Sequence, residues 1–166
     1  MKIIYAALAG LAIIILSCRF AASRTAADNV RWSRDDQHIA LLRNDTVLWQ
    51  LNFNPAEDKP YFHPLRTPSG WDIALKRPSD HPWHRGLWFS WKKINGVNYW
   101  EEDVKTGVSG GRSLIKNVSS KLYKDFSARV TIDIIYQDSN GPTIEERRVL
   151  HISSPLGSEG YSITWD

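Results

Sequence analysis

Beyond residue 30, apolar and polar residues alternate with period two far more often than with the 3.6-residue period of a helix, and hairpin-type turn residues punctuate the runs. The pattern predicts strands over 38–43, 46–53, 59–63, 71–75, 86–94, 97–101, 112–123, 126–137, 143–153 and 160–166. The clearest stripe is Phe126, Ala128, Val130, Ile132, Ile134 and Tyr136, which alternates with Ser127, Arg129, Thr131, Asp133 and Ile135. One face of that strand is therefore expected to be buried and the other mostly wet. Asp138-Ser139-Asn140-Gly141-Pro142 supplies turn chemistry before the next strand, because Asn-Gly accepts positive φ at low cost. Asn95-Gly96 predicts a second hairpin. The expected fold class is all-β, an antiparallel β-sandwich.

The first residues read differently. Lys2 precedes an apolar run from Ile3 to Leu16, which is too short to span a bilayer and has the length of a secretory h-region. The run ends in Leu16-Ser17-Cys18, similar to the bacterial lipobox, in which the cysteine is lipidated and becomes the new N-terminus. Cys18 is the only cysteine, so no disulfide can form within the chain. The expected organisation is a lipoprotein signal peptide over 1–18, a small-residue polar tether over 19–29 and a β-sandwich domain over 30–166. The alternative is an ordinary signal peptide cleaved near Ala21 or Ala22. Both readings export the protein, and the first anchors it to the bacterial envelope by lipid.

Charge narrows the partners. The formal net charge is +3 and basic and acidic residues are interspersed, so nothing points to nucleic acid. Contact with a membrane is expected only through the lipid anchor. At the other end, Tyr161, Ile163 and Trp165 alternate as strand residues up to the last position, Asp166. An apolar strand needs a partner there, and the expectation is that the sequence is the N-terminal portion of a longer protein.

Candidate chemistry is concentrated between Asp80 and Asp103, where two imidazoles, a guanidinium, several carboxylates and four tryptophans crowd together. His81 and His84 flank Pro82 in an extended or turned segment, where they can converge on one divalent metal with Asp80, His63, Glu101 or Glu102 as a further ligand. Alternatively they serve as acid and base, with Arg85 clamping an anion or oxyanion and Glu101 or Glu102 as carboxylate partner. A third reading is structural, with the histidines bonded to backbone and Arg85 paired to Asp80 or Glu101. Along 86–94, Leu87, Phe89 and Trp91 should face one side and Trp88 and Ser90 the other. One set is core. The other, with Trp83 and Trp100, forms a stacking platform for sugar rings, whose hydroxyls seek residues such as Asp80. His63 and His151 read as structural, and Glu145-Glu146-Arg147-Arg148 as a solvated hairpin end.

Three motifs together resemble the PmoA-like family of secreted bacterial proteins. They are Pro60-Tyr61-Phe62-His63-Pro64-Leu65 with Thr67-Pro68-Ser69-Gly70, then Asp80-His81-Pro82-Trp83-His84-Arg85-Gly86-Leu87-Trp88-Phe89, then Asn95-Gly96-Val97-Asn98-Tyr99-Trp100. Members often carry the label methane oxygenase PmoA. That chemistry belongs to a subunit built of membrane-spanning helices, which this chain's strand-type alternation does not match. The resemblance implies a β-sandwich, related to the large supersandwiches of sugar mutarotases, in a chain longer than this one and a setting of carbohydrate degradation. Two functions follow as expectations. One is an exported carbohydrate-active enzyme of hydrolase, lyase or epimerase type, working through His81, His84, Arg85 and Glu101. The other is a glycan-binding lipoprotein without catalysis, using Trp83, Trp88 and Trp100.

Overall fold

The computed structural model describes residues 29–157 and 160–166. The signal segment and Cys18 lie outside them. Among the described residues no helix is long and apolar enough to cross a membrane.

The fold is all-β and antiparallel. A first sheet contains β1 (Val30–Arg34), β2 (His38–Arg43), β3 (Thr46–Asn52), β4 (Tyr61–Leu65) and β5 (Leu87–Trp88), in that spatial order. A short hairpin of β6 (Lys93–Ile94) and β7 (Val97–Asn98) follows. The second sheet takes β8 (Arg112–Leu122), β9 (Ala128–Asp138), β10 (Gly141–Ile152) and β11 (Ile163–Trp165) in the order β11-β10-β9-β8. A single 3₁₀ turn, Pro55–Glu57, separates β3 from β4.

The two sheets face each other across one core, as a sandwich requires. Ile39, Leu41, Trp49, Leu51 and Phe62 from the first pack with Val130, Ile132, Ile134, Tyr136, Leu150 and Ile152 from the second. The expected stripe on β9 is buried from Ala128 to Tyr136, and Phe126 packs partly buried against the core. Aromatic edges tie the layers together: Trp165 of β11 meets Phe62 of β4 at 6.2 Å, and Tyr99 meets Tyr136 at 5.6 Å, both near-perpendicular. Tyr161 adds a polar tie, its hydroxyl donating to the carbonyl of Arg66 at 2.6 Å.

Turn chemistry acts where it was read. Ser139-Asn140 join β9 to β10, and Asn95 (φ 50°) with Gly96 (φ 84°) close the β6–β7 hairpin in the left-handed region that these residues accept. Four expectations change. β1 was not foreseen. The segment 71–75 is not a strand: it holds one bridge, Arg66 to Asp72, and leaves Trp71, Ile73 and Leu75 exposed. The predicted strand 86–94 is broken into β5 and β6, because β5 pairs with β4 for two residues before the chain turns away. Finally, Glu145–Arg148 lies inside β10, where Arg148 is buried and donates from Nε to Glu146 at 2.6 Å, while Glu146 accepts from the Tyr136 hydroxyl.

Candidate functional site

The 3₁₀ turn is set by sequence: Asn54 caps it, its side chain accepting from the amide of Ala56, and Pro55 fixes the first φ. Asp58 ends the turn in the left-handed conformation, φ 55°, which Asp tolerates better than most residues. This geometry delivers Glu57, Asp58 and Lys59 in succession to one end of the first sheet. Two further segments converge there. The long β4–β5 connection returns through Lys76, which bridges to Arg85, and the loop after β7 brings Glu102 and leads into Arg112.

Glycine makes the return possible. Gly86 has φ 88°, and a Cβ on it would sit 2.4 Å from the carbonyl oxygen of Phe62 on β4. Only a residue without a side chain lets the loop press against the sheet there, and this seats Arg85 in the interior.

Arg85 is 4% exposed and forms a buried ion pair with Glu102 and a second with Glu57 at 3.1 Å. Glu102 also meets Lys59 at 3.5 Å and Arg77 at 3.2 Å. Lys59, only 2% exposed, reaches Asp58 at 3.9 Å, donates to Ser109 and lies over the Trp88 ring at 5.7 Å. Lys76 pairs with Glu57 at 3.5 Å and donates to the Tyr61 hydroxyl. Arg112 reaches Asp58 at 3.8 Å. Five cations and three carboxylates thus share one network, and Arg85 Nε is buried in it without a hydrogen-bond partner.

The network borders a cavity of about 350 Å³ whose lining includes Glu57, Asp58, Lys76, Arg77, Arg85 and Arg112 together with Gly107 and Val108. The two neighbouring carboxylates differ in acidity. Burial raises the Asp58 pKa, outweighing the charges of Lys59, Arg85 and Arg112. Burial acts on Glu57 in the same sense, but a hydrogen bond with Tyr61 and the charges of Lys76 and Arg85 overcome it and hold the Glu57 carboxyl below its usual range. Glu102 is held low in the same way by Arg85, Lys59 and Arg77, against its own burial. Such opposed acidities in one cavity suit a proton donor beside an ionised partner.

The residues expected from sequence divide among three places. Asp80, His81 and His84 line a separate, largely apolar groove of about 710 Å³ with Leu65, Ile73, Leu75 and Leu87. His81 is exposed there, bound through Nδ1 to Asp80 at 3.1 Å, and Trp83 meets its ring edge-on at 5.5 Å. Arg85 belongs to the charged cavity, and its carboxylate partners are Glu102 and Glu57 rather than Glu101 or Asp80. Glu101 instead pairs with Lys92 at 3.0 Å and accepts from Asn98 at 2.8 Å beside the β6–β7 hairpin. Trp88 is buried, its ring packed at a 30° tilt against Trp100 with centroids 4.3 Å apart. Among the described residues the exposed aromatic rings are Trp71, Phe89, Trp91 and, just beyond β8, Tyr123, so burial takes Trp88 out of the expected platform. Among the described residues no three His, Cys, Asp or Glu side chains form a metal-holding group, His81 and His84 included.

Sequence reasoning did not single out Glu57, Asp58 or Lys59. The available signal was three consecutive ionisable residues behind Asn54-Pro55 in a span between two apolar strands.

A family profile matches residues 38–166, which takes in β2 to β11, the groove and the charged cavity. The chain belongs to DUF6807, a family of unknown function. No curated protein and no solved structure matches it.

Proposed function

We propose that this DUF6807 chain is an exported, lipid-anchored protein that acts on carbohydrate, with hydrolase, lyase or epimerase chemistry in the charged cavity. Export and anchoring rest on Lys2, the Ile3–Leu16 run and Cys18; the sugar setting rests on the resemblance to PmoA-like proteins. The observation that carries the chemical part is the meeting of Glu57 and Asp58 with three guanidiniums in one polar cavity, where burial pushes Asp58 up and neighbouring charge with a Tyr61 hydrogen bond holds Glu57 down.

In this reading Asp58, whose burial favours its protonated form, is the proton donor to a leaving or ring oxygen, while Glu57 accepts a proton or steadies positive charge. Arg77, Arg85 and Arg112 bind ligand oxygens. Glu102 and Lys59 do not touch substrate and position Arg85. The histidine groove with Asp80, His81, His84 and Trp83 offers a neighbouring apolar surface for an adjoining sugar unit.

A screen of the full chain against polysaccharides and aryl glycosides tests this. Asp58→Asn and Glu57→Gln should each lower turnover by about 10²-fold or more, the usual scale for general acid–base groups. Turnover that survives both changes but vanishes in a His81→Ala, His84→Ala variant would move the chemistry to the groove.

A glycan-binding protein without catalysis is the second reading. The exposed rings of Trp71, Phe89 and Trp91 favour it, and it predicts sugar binding without turnover.

A further inference from the structure

The charge balance of the cavity points to a ligand class that the functional proposal leaves open. We infer that the cavity receives an anionic group, the carboxylate of an acidic sugar such as a uronate, held between Arg112 and Lys76. This inference rests on the carbohydrate reading for the sugar and on the cavity alone for the anion.

The first ground is imbalance. Lys59, Lys76, Arg77, Arg85 and Arg112 face Glu57, Asp58 and Glu102. Two positive charges remain in excess, carried by Lys76, Arg77 and Arg112, whose side chains are about a third to a half exposed, and there they raise a positive potential that draws an anion to the cavity.

The second ground is unspent hydrogen-bonding capacity. The Arg112 guanidinium makes one ion pair, through Nε to Asp58 at 3.8 Å, and is half exposed on the cavity wall. Its two terminal amino groups remain for a ligand, in the fork geometry that matches a carboxylate. Lys76 lines the same cavity from a different chain segment, the β4–β5 connection, with Glu57 at 3.5 Å. Arg85 Nε, buried and unpartnered, is a third donor in the same network.

The third ground is shape. The cavity has room for a sugar ring, and its lining is polar, whereas the neighbouring histidine groove is walled by Leu65, Ile73, Leu75 and Leu87. A charged group therefore finds its partners in the cavity and not in the groove.

Calorimetric titration of the full chain at low salt tests the inference, with D-glucuronate and D-galacturonate against glucose and galactose, and with acetate as an anion without a sugar. The uronates should bind at least about tenfold more tightly than the neutral sugars, a ratio one charge-assisted contact supplies, and should weaken as salt is added. Arg112→Gln and Lys76→Gln should each erase most of that preference, Arg112→Lys should keep part of it, and Lys121→Gln, at the remote Tyr123 ring, should change nothing. Uronates binding no better than neutral sugars would overturn the anion site and leave the carbohydrate reading standing. So would a preference that persists in both glutamine variants. Acetate binding that is lost in Arg112→Gln, with no sugar bound, would support the anion site and overturn its assignment to a sugar.

Discussion

Arg85 and Glu102 lie 17 residues apart in sequence and meet as a buried ion pair, each less than a tenth exposed. The pair joins the β4–β5 connection to the loop after β7, and through Lys59 and Glu57 it reaches the turn before β4. Three segments that share no strand are thus fixed around one cavity by charge. Buried pairs of this kind add little net stability over apolar packing, yet losing one member is costly. A network retained at that cost is more readily explained by what it positions than by what it stabilises.

Glu102→Gln should therefore destabilise strongly, by about 3–5 kcal/mol, since it leaves Arg85, Lys59 and Arg77 facing no charge at that point. Asp133→Asn should change stability far less, because its partner Arg147 is largely exposed and the pair is screened by solvent. Urea unfolding midpoints distinguish the two. Equal costs would contradict the central place given to Glu102.

Stability should depend on pH through Asp58 in a sense opposite to that of Glu57 and Glu102. Its pKa is raised above 3.8 in the fold, so the folded chain binds the proton more tightly than the unfolded one. Stability from this group is present below 3.8 and falls as pH rises through the window above it. Asp58→Asn keeps a residue suited to the left-handed backbone and removes that cost. The variant should match the parent in acid and exceed it in stability at neutral pH, as thermal melts across the range would read. A variant less stable than the parent at pH 7 would show that Lys59 and Arg112 repay the burial of Asp58.

Gly86→Ala should cost more than about 2 kcal/mol, because a methyl would meet the Phe62 carbonyl in addition to the strain of positive φ. Gly70→Ala shares the strain, with φ 93°, but meets nothing within 4 Å, and should cost about 1–2 kcal/mol. Chemical denaturation orders the two, and a reversed order would remove Gly86 from its role in seating Arg85.

Trp100→Ala should uncover the buried Trp88 ring, against which it packs with centroids 4.3 Å apart. The loss of the aromatic pair should be worth about 0.5–1.5 kcal/mol beyond the area exposed. Tryptophan emission should shift to the red on the same change. An unshifted spectrum with unchanged stability would mean that Trp88 is sheltered by Lys59 and the sheet alone.

The sandwich was legible because its signals are local. The β9 stripe and the Asn95-Gly96 turn each specify backbone and buried face within a few residues. Where alternation misled, pairing was the missing fact: Trp71, Ile73 and Leu75 alternate like a strand, but only Asp72 finds a bridging partner. Arg148 looked like a solvated charge, and it is buried because Tyr136 and Glu146 on its own sheet satisfy it. The charged cavity was hidden for a related reason. Asp80–Asp103 announces itself by composition, whereas Glu57, Asp58 and Lys59 gain meaning only once Arg85, Glu102 and Arg112 are folded against them, and period-two patterning does not encode which distant charges meet.

Amide NMR of the full chain, titrated with a panel of uronates and neutral mono- and disaccharides, tests most directly that this cavity is the ligand site. The account predicts that at least one sugar moves the resonances of Glu57, Asp58, Lys76, Gly107, Val108 and Arg112 together. Movement confined to Leu75, His81 and His84 would contradict it, as would a panel that moves no resonance at all.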